Sequence, residues 1–571
     1  MDWWPRCTPS KLPMVSTICL GKLSIAAGAM ISSGLFVLPA IVYRIGGPSI
    51  IASYMLASLL ILPSVFAKAE LATAMPRAGG TYFYVKRSIG GLWGLFCGLS
   101  DWFSLAMKSA FAVMGIALFC KMFCHYAFNG YVLSDSALKI IAAACCLFFG
   151  GMNWVSVKST ARFQNLLVLY MLVMLSMFVV MGISSVHPVR FHPFVAADAP
   201  HGTWTILALT GAVFVSFGGL TKVTTIAEEV RNPGRQLPRG MLLAWAVVSL
   251  FYAAVVFVTI GVLDSTDLAA SDAPISTTAG VFMGTTGMVL LSLAALAAFV
   301  TTANGGILAA SRSPMAMSRD HLLPGQLAQV SKRFGTPAHS ILITCGLMIL
   351  SIIFLELEIL VKTASALLLL MFLMDNVSVI LMRQSKIQTY RPKFKVPFYP
   401  YLPIATIVVY LVLLLGMGIV PLCISGGFLI ASAVWYKLYA AKQVQRDSAV
   451  MRVVQQVTDR EIKSPTLENE LRDILFERDN IIADRFDHLL HDCTLFDLKG
   501  KKTAQEVFEQ AAAALGAKLD IDKQVLVEKL LAREAEGSTV LETGLAIPHV
   551  VIEGEKKGSG QNRILFGGYE R

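Results

Sequence analysis

Two stretches of this chain put glycine and serine where an uninterrupted apolar helix would carry leucine. Gly28-Ala29-Met30-Ile31-Ser32-Ser33-Gly34 lies inside one apolar block, and Phe214-Val215-Ser216-Phe217-Gly218-Gly219 lies inside another. Glycine costs about 1 kcal/mol relative to alanine in a helix interior, and Gly/Ser pairs are places where helices kink or part. A parted helix frees N–H groups at the start of one half and carbonyls at the end of the other. The first end attracts a carboxylate and the second an ammonium. A zwitterionic α-amino acid offers both. The spacing therefore suggests a carboxylate near Ile31, Ser32, Ser33 and Gly34. The amino group would sit near carbonyls around Ala27 and Gly28 and across Phe214, Val215, Ser216, Phe217 and Gly218. Small residues also serve as packing contacts between membrane helices, and spacing alone leaves both readings open.

Other side chains could couple such a site to an ion. Asp101 and Lys108 are seven residues apart in one apolar block, hence on roughly one helical face, and unpaired burial of either costs several kcal/mol. Lys108 reads either as a proton-responsive group or as a partner of a carboxylate. Thr301 and Thr302 offer hydroxyls for sodium or for carbonyls of their own helix. Asp375 reads as a pathway residue or as a cap at a bend. Cys120, Cys124 and His125 fall at helical spacing but give too few ligands for a metal, and no cofactor pattern is present.

The elements that must position these groups follow from composition. The chain has 571 residues, 55% hydrophobic and 15% charged, with a mean hydropathy of +0.65. A soluble globule of this size needs more charge at its surface. Apolar blocks run approximately 20–43, 47–73, 91–125, 137–155, 163–185, 204–226, 240–263, 281–310, 339–356, 359–383, 401–420 and 422–440, each about long enough to cross ~30 Å of hydrocarbon as helix. Residues 1–17 lack the layout of a signal peptide. An even number of crossings puts both termini on one side. Alternate loops carry Arg77, Lys86 and Arg87, then Lys158 and Arg162, then Arg231, Arg235 and Arg239, whereas an opposite loop carries Asp264, Asp267 and Asp272. The positive-inside rule places both termini in the cytoplasm. The net charge of +11 reflects this bias and calls for no nucleic acid. Interruptions in segments one and six fit an inverted repeat, one to five against six to ten, with the site at the breaks.

Five motifs then carry a resemblance. Ile31-Ser32-Ser33-Gly34-Leu35-Phe36 resembles the first-helix signature of the amino acid–polyamine–organocation (APC) permeases. Glu70 with Met75-Pro76-Arg77-Ala78-Gly79-Gly80-Thr81-Tyr82 is similar to the loop between their second and third helices. Phe214 to Gly219 resembles the sixth-helix break, and Glu228-Glu229-Val230-Arg231-Asn232-Pro233 the loop after it. Ser311-Arg312, Arg319-Asp320 and Leu323-Pro324 resemble the loop between helices eight and nine. Over residues 20–440 the resemblance implies an all-α membrane protein of twelve helices, a LeuT-type five-plus-five inverted repeat with helices 1 and 6 broken, and alternating-access transport of amino acids or related amines. Ser32 stands where the family usually has glycine. Thr221 stands where many relatives carry an acid, so a neutral amino acid is the expected substrate.

Beyond residue 440 the chain becomes polar. Residues 441–485 read as a charged linker helix and 486–571 as a small α/β domain, with helices expected at 503–516 and 522–533 and an apolar run Leu545–Ile547. Gly544-Leu545-Ala546-Ile547-Pro548-His549, with Leu530 to Glu534 upstream, resembles the enzyme IIA domains of the phosphotransferase system, of the fructose–mannitol–nitrogen type. The resemblance implies His549 as phosphoryl acceptor, Arg533 as a phosphate-stabilising cation and a phosphotransferase carrier protein as partner. It covers about 488–555, with no histidine after His549, and the expectation is an incomplete domain that regulates rather than an enzyme.

The sequence thus predicts a multi-pass protein of the bacterial cytoplasmic membrane, with residues 1–19 as a cytoplasmic tail, that moves an amino acid with protons or a counter-substrate. The competing readings are a non-transporting amino-acid sensor that signals through the tail, and a polyamine or amine exchanger.

Overall fold

The computed structural model describes residues 28, 30–77, 79–127, 133–155, 160–196, 202, 204–220, 232–331, 334–387, 389–442, 449–450, 471–472, 474–475, 505–506, 508–510, 512–513, 522–536, 540–542, 545–546 and 567–568. The chain divides into two compact units, Met1–Arg478 and Asp479–Arg571.

Among its described residues the first unit holds helices joined by turns and loops, and no strand. A single turn, α1 (Ser33–Phe36), is separated by Val37 from α2 (Leu38–Gly46), which begins with Pro39 in its first turn. Proline is tolerated there because its missing N–H has no partner at a helix start. Then follow α3 (Ile50–Ala74), the short α4 (Thr81–Ser88), and α5 (Gly91–Ala127). After these come α6 (Asp135–Val155), α7 (Thr160–Gly182) and α8 (Trp204–Val213). A 3₁₀ stretch, Phe214–Leu220, continues from α8. The second half holds α9 (Pro233–Val262), the short α10 (Ser265–Ala270), α11 (Pro274–Arg319), α12 (Ala338–Phe354), α13 (Leu357–Gln384), α14 (Tyr401–Gly416) and α15 (Ile419–Leu438).

Every apolar block predicted from sequence carries described helix. Among the described residues, eight helical runs are long and apolar enough to cross a membrane, α1 to α3 counting as one run, and three shorter apolar helices accompany them. This is a multi-pass membrane protein. Its helices carry apolar residues on the outside as well as within: Leu250, Leu415 and Ile419 are all exposed, as lipid contact requires. The long α11 is not one straight rod. Gly284 has φ 65° and ψ −167°, a conformation that L side chains rarely adopt. The portion from 285 onward is therefore the helix that matches the block predicted at 281–310. The packing pairs α5 with α11 and α13, and α3 with α9 and α8, so α5 is enclosed while α15 lies at the margin.

In the second unit, α16 (Lys523–Glu536) matches the helix expected at 522–533. Asp522 Oδ1 accepts the Gln524 N–H at 2.7 Å, the usual cap for a helix start. Leu526 and Leu530 are buried one turn apart while Lys523 and Gln524 are exposed, which is the amphipathic pattern of a surface helix. Residues 505–506, 508–510 and 512–513 are helical, with Phe508 and Ala512 buried, inside the expected 503–516. Three short strands, β1 (Val540–Glu542), β2 (Leu545–Ala546) and β3 (Gly567–Gly568), pair antiparallel in that order.

Candidate functional site

The two interruptions meet. Gly34 lies so close to Ser216 that a β-carbon at position 34 would stand 2.9 Å from Ser216 Cα and Cβ, nearer than real β-carbons approach. The Ser216 hydroxyl donates to the Gly34 carbonyl at 3.1 Å, and the Tyr54 hydroxyl donates to the same carbonyl at 2.7 Å. The Tyr252 hydroxyl lies 2.8 Å from the Met30 carbonyl and 3.1 Å from the Ser216 carbonyl. Glycine at 34 is thus required by close backbone approach; Tyr54 of α3 holds the first break, and Tyr252 of α9 reaches both.

The first break is a reset of the helix at Ile31 and Ser32, where the turn α1 begins anew. Ser32 has φ −160° and ψ −141°, an extended backbone. The hydroxyls of Ser32 and Ser33 are fully buried, and neither oxygen hydrogen-bonds to a described residue. Burying a hydroxyl without a partner costs about 1–3 kcal/mol on mutational scales, so two such groups at a helix break mark a place where polar ligand atoms would be welcome.

The sixth break differs from the expected unwinding. The backbone tightens into 3₁₀ geometry from Phe214, two residues before the Ser-Phe-Gly-Gly run. Ser365 on α13 accounts for this, because its hydroxyl donates to the Ala212 carbonyl at 2.8 Å and accepts the Val215 N–H at 3.0 Å. One side chain thereby satisfies both backbone groups that the tightening leaves over. Gly218 faces Leu368 and the stem of Lys108. Phe217 packs edge-on against Tyr252 with centroids 5.2 Å apart, and Phe214 against Tyr410 at 5.6 Å.

Lys108 reaches the break. Its Nζ donates to the Ser216 carbonyl at 3.3 Å. Asp101, on the same helix, accepts from the Ser313 hydroxyl of α11 at 3.3 Å through Oδ2. The two residues share a helix face, and each meets a different neighbour. Thr301 donates to the Ala298 carbonyl of its own helix at 3.0 Å, whereas Thr302 points to the Gly28 carbonyl at 3.5 Å. Ala27 and His549 lie outside the described residues; Arg533 falls within α16. Cys120 and Cys124 are half-buried and form no disulfide among the described residues.

Comparison with known proteins decides what this arrangement belongs to. The amino acid permease family model matches residues 20–440. The chain belongs to the amino acid permease family, within the APC superfamily. A second family model, the EIIA 2 domain of the phosphoenolpyruvate-dependent sugar phosphotransferase system, matches residues 488–570, starting where the resemblance read from sequence starts and extending past its end at about 555. The methylthioribose transporter of Bacillus subtilis (strain 168) is 28% identical over 66% of this chain and 83% of its own. The branched-chain amino acid permease BcaP of Lactococcus lactis subsp. cremoris (strain MG1363) is 25% identical over 72% and 92%. The serine/threonine exchanger SteT of Bacillus subtilis (strain 168) is 24% identical over 68% and 87%. These families describe a transporter rather than an enzyme, with a phosphotransfer-type module at its C-terminus.

The permease contains a charged constellation that sequence reasoning found only in part. Asp375 on α13 does not cap a bend. Its Oδ2 lies 2.9 Å from Lys68 Nζ of α3, and both side chains are fully buried. Thr81 donates to the same Oδ2 at 3.3 Å, and Lys68 also donates to Thr81. The ammonium lies 5.2 Å from the centre of the Phe372 ring. Lys68 was legible as a lysine inside the apolar block 47–73, but only the fold identifies its partner. Glu70, two residues on, is likewise buried. It accepts Arg383 Nε at 2.7 Å and Nη2 at 2.5 Å, the Val396 N–H at 2.6 Å and the Tyr390 hydroxyl at 3.1 Å. That bidentate pair anchors the segment after α13 to the end of α3, which gives the glutamate of the second-helix motif a structural task.

Proposed function

We propose that this permease is a secondary transporter that moves a neutral amino acid across a bacterial cytoplasmic membrane by alternating access. The observation that carries the reading is the meeting of the two breaks. Gly34 abuts Ser216 beside two buried serine hydroxyls that bond to no described residue. A carboxylate placed among Ser32, Ser33 and Gly34 would accept from those hydroxyls and from the first N–H groups of α1. An amino group would face carbonyls of the 214–217 stretch. The Ser216 carbonyl is held by Lys108 and approached by Tyr252, so an arriving ammonium would take the place of the lysine. Relatives named for branched-chain amino acids and for serine and threonine favour a neutral substrate.

In this reading residues 20–440 cross the membrane twelve times as two inverted five-helix repeats followed by two further helices. Both termini are cytoplasmic, and residues 1–19 form the N-terminal tail. Residues 441–485 link the transporter to the α/β module at 486–571, which regulates transport by docking a phosphotransferase carrier protein. Protons or a counter-substrate drive the cycle, with Lys108, Asp101, Thr301 and Thr302 as the coupling candidates.

Uptake into proteoliposomes tests the proposal, using labelled amino acids and methylthioribose, with and without a proton gradient or preloaded cold substrate. Saturable flux of one or a few neutral amino acids is expected. Saturable binding without flux across the panel would sink the transport reading in favour of a sensor, and flux of methylthioribose alone would remove the amino acid.

A further inference from the structure

Three ionisable side chains from three helices share one buried region of the membrane unit: Lys68 on α3, Asp101 on α5 and Asp375 on α13. All three are at most 3% exposed. Lys68 and Asp375 lie within electrostatic reach of Asp101. The Cys97 thiol, one turn back on α5, lies within electrostatic reach of all three, and Tyr84 of α4 and Tyr410 of α14 lie within electrostatic reach of Asp375. The region therefore holds two carboxyl groups and one ammonium.

The geometry pairs them unequally. Asp375 has the ammonium at 2.9 Å and the Thr81 hydroxyl at 3.3 Å on one oxygen. Asp101 touches no cation among the described residues; its single hydrogen bond comes from the neutral Ser313 hydroxyl at 3.3 Å, and its Oδ1 is buried with no partner there. An ionised carboxylate in that setting would carry a desolvation penalty of several kcal/mol that one weak neutral donor does not offset. A carboxylic acid needs no counter-ion there. The Lys68–Asp375 pair is already neutral as a unit, so a third charge would be the unbalanced one.

We propose that Asp101 is a proton-binding site, holding one proton while it is buried as it is here. Binding forms an O–H bond on Asp101 with a proton taken from water, and release returns the proton to water when the region becomes hydrated. The part of the molecule placed to control that hydration is α4. It packs on α5 and α13 and contributes Thr81 to the Lys68–Asp375 pair. The same α5 carries Lys108 to the Ser216 carbonyl, two helical turns from Asp101, so one rigid element connects the proton site to the helix breaks. This link to transport rests on the proposed function; the proton site itself does not.

Infrared spectroscopy of the purified full chain in lipid nanodiscs, without substrate, tests it directly. The carbonyl stretch of a protonated, buried carboxylic acid is expected near neutral pH in the wild type. It should disappear in Asp101→Asn and move in Asp101→Glu, and in the wild type it should fade as pH is raised. Persistence of the band in Asp101→Asn, or its absence from the wild type at neutral pH, would overturn the proposal. The wild-type titration keeps the test decisive where a variant fails to fold. In proteoliposomes, an inward proton gradient is expected to raise wild-type uptake and to leave Asp101→Asn at its no-gradient level. A wild type that transports none of the panel would count against the transport reading alone, because the spectroscopic result needs no substrate.

Discussion

The first and sixth helix breaks solve the same backbone problem in different ways. At the sixth, Ser365 closes both leftover backbone groups, and Lys108 and Tyr252 reach the Ser216 carbonyl. The Ala212 carbonyl, the Val215 N–H and both the hydroxyl and the carbonyl of Ser216 have partners within the protein. At the first, Tyr54 and Ser216 hold the Gly34 carbonyl, yet the Ser32 and Ser33 hydroxyls have none among the described residues. A satisfied break is a rigid wall and an unsatisfied one is a socket, since buried polar groups gain most from a ligand when they lack internal partners. Under the proposed function, the contrast gives the sixth break the larger share of stability and the first the larger share of hydroxyl contacts to a ligand.

The largest expected effect comes from abolishing the contact between them. Gly34→Leu drives a side chain into the backbone of Ser216 and should eliminate substrate binding while the protein still inserts and runs as a monodisperse species on size exclusion. Unchanged affinity, measured by a radioligand assay, would place the site elsewhere. Next comes Ser365→Ala, which strands the Ala212 carbonyl and the Val215 N–H. It should destabilise the fold by about 1–3 kcal/mol, read as a lowered melting temperature, with a lesser change in affinity. Ser32→Ala and Ser33→Ala should show the reverse. Each removes a hydroxyl that no described residue satisfies, so the melting temperature should hold or rise, whereas affinity should weaken by roughly two- to tenfold for a lost hydrogen bond of ~0.5–1.5 kcal/mol. Equal effects of the serine and Ser365 variants on melting would erase the distinction between wall and socket.

The smallest effect lies away from both breaks and serves as a reference. Asp320 follows α11 and accepts from Lys86 at 2.8 Å and from Tyr82. Burial pushes its carboxyl up, but Lys86, Tyr82 and the charge of Arg87 outweigh that and hold it below the ordinary 3.8. With the folded value the lower one, the stabilisation is present above the unfolded value and is lost as pH falls through the folded value. For a partly exposed pair such as this, solvent screening keeps it to about 1 kcal/mol. Asp320→Asn should therefore lower the melting temperature slightly at neutrality and flatten the acid limb of the melting curve, so that variant and wild type converge below about pH 4.

Much of this was readable before the fold was known, for local reasons. The membrane class follows from apolar block lengths. The two breaks follow from Gly28, Gly34, Gly218 and Gly219 with their neighbouring serines, because helix propensity is a property of a few consecutive residues. What escaped was pairing. Asp375 was visible as an acid in an apolar block, but its partner Lys68 stands in another, and nothing in either block specifies the match. The 3₁₀ form of the sixth break was illegible for the same reason: Ser365, which permits it, is 150 residues from Val215.

The sequence by itself determined that this chain is a multi-pass permease with two interrupted helices and a phosphotransfer-type module, since composition, block length and local motifs suffice for that. Only the tertiary structure decided that Gly34 meets Ser216, that Lys68 neutralises Asp375, and that Asp101 is left without a cation among the described residues. Those outcomes depend on which helix faces are pressed together. Packing sets that choice over the whole membrane unit, and local sequence does not.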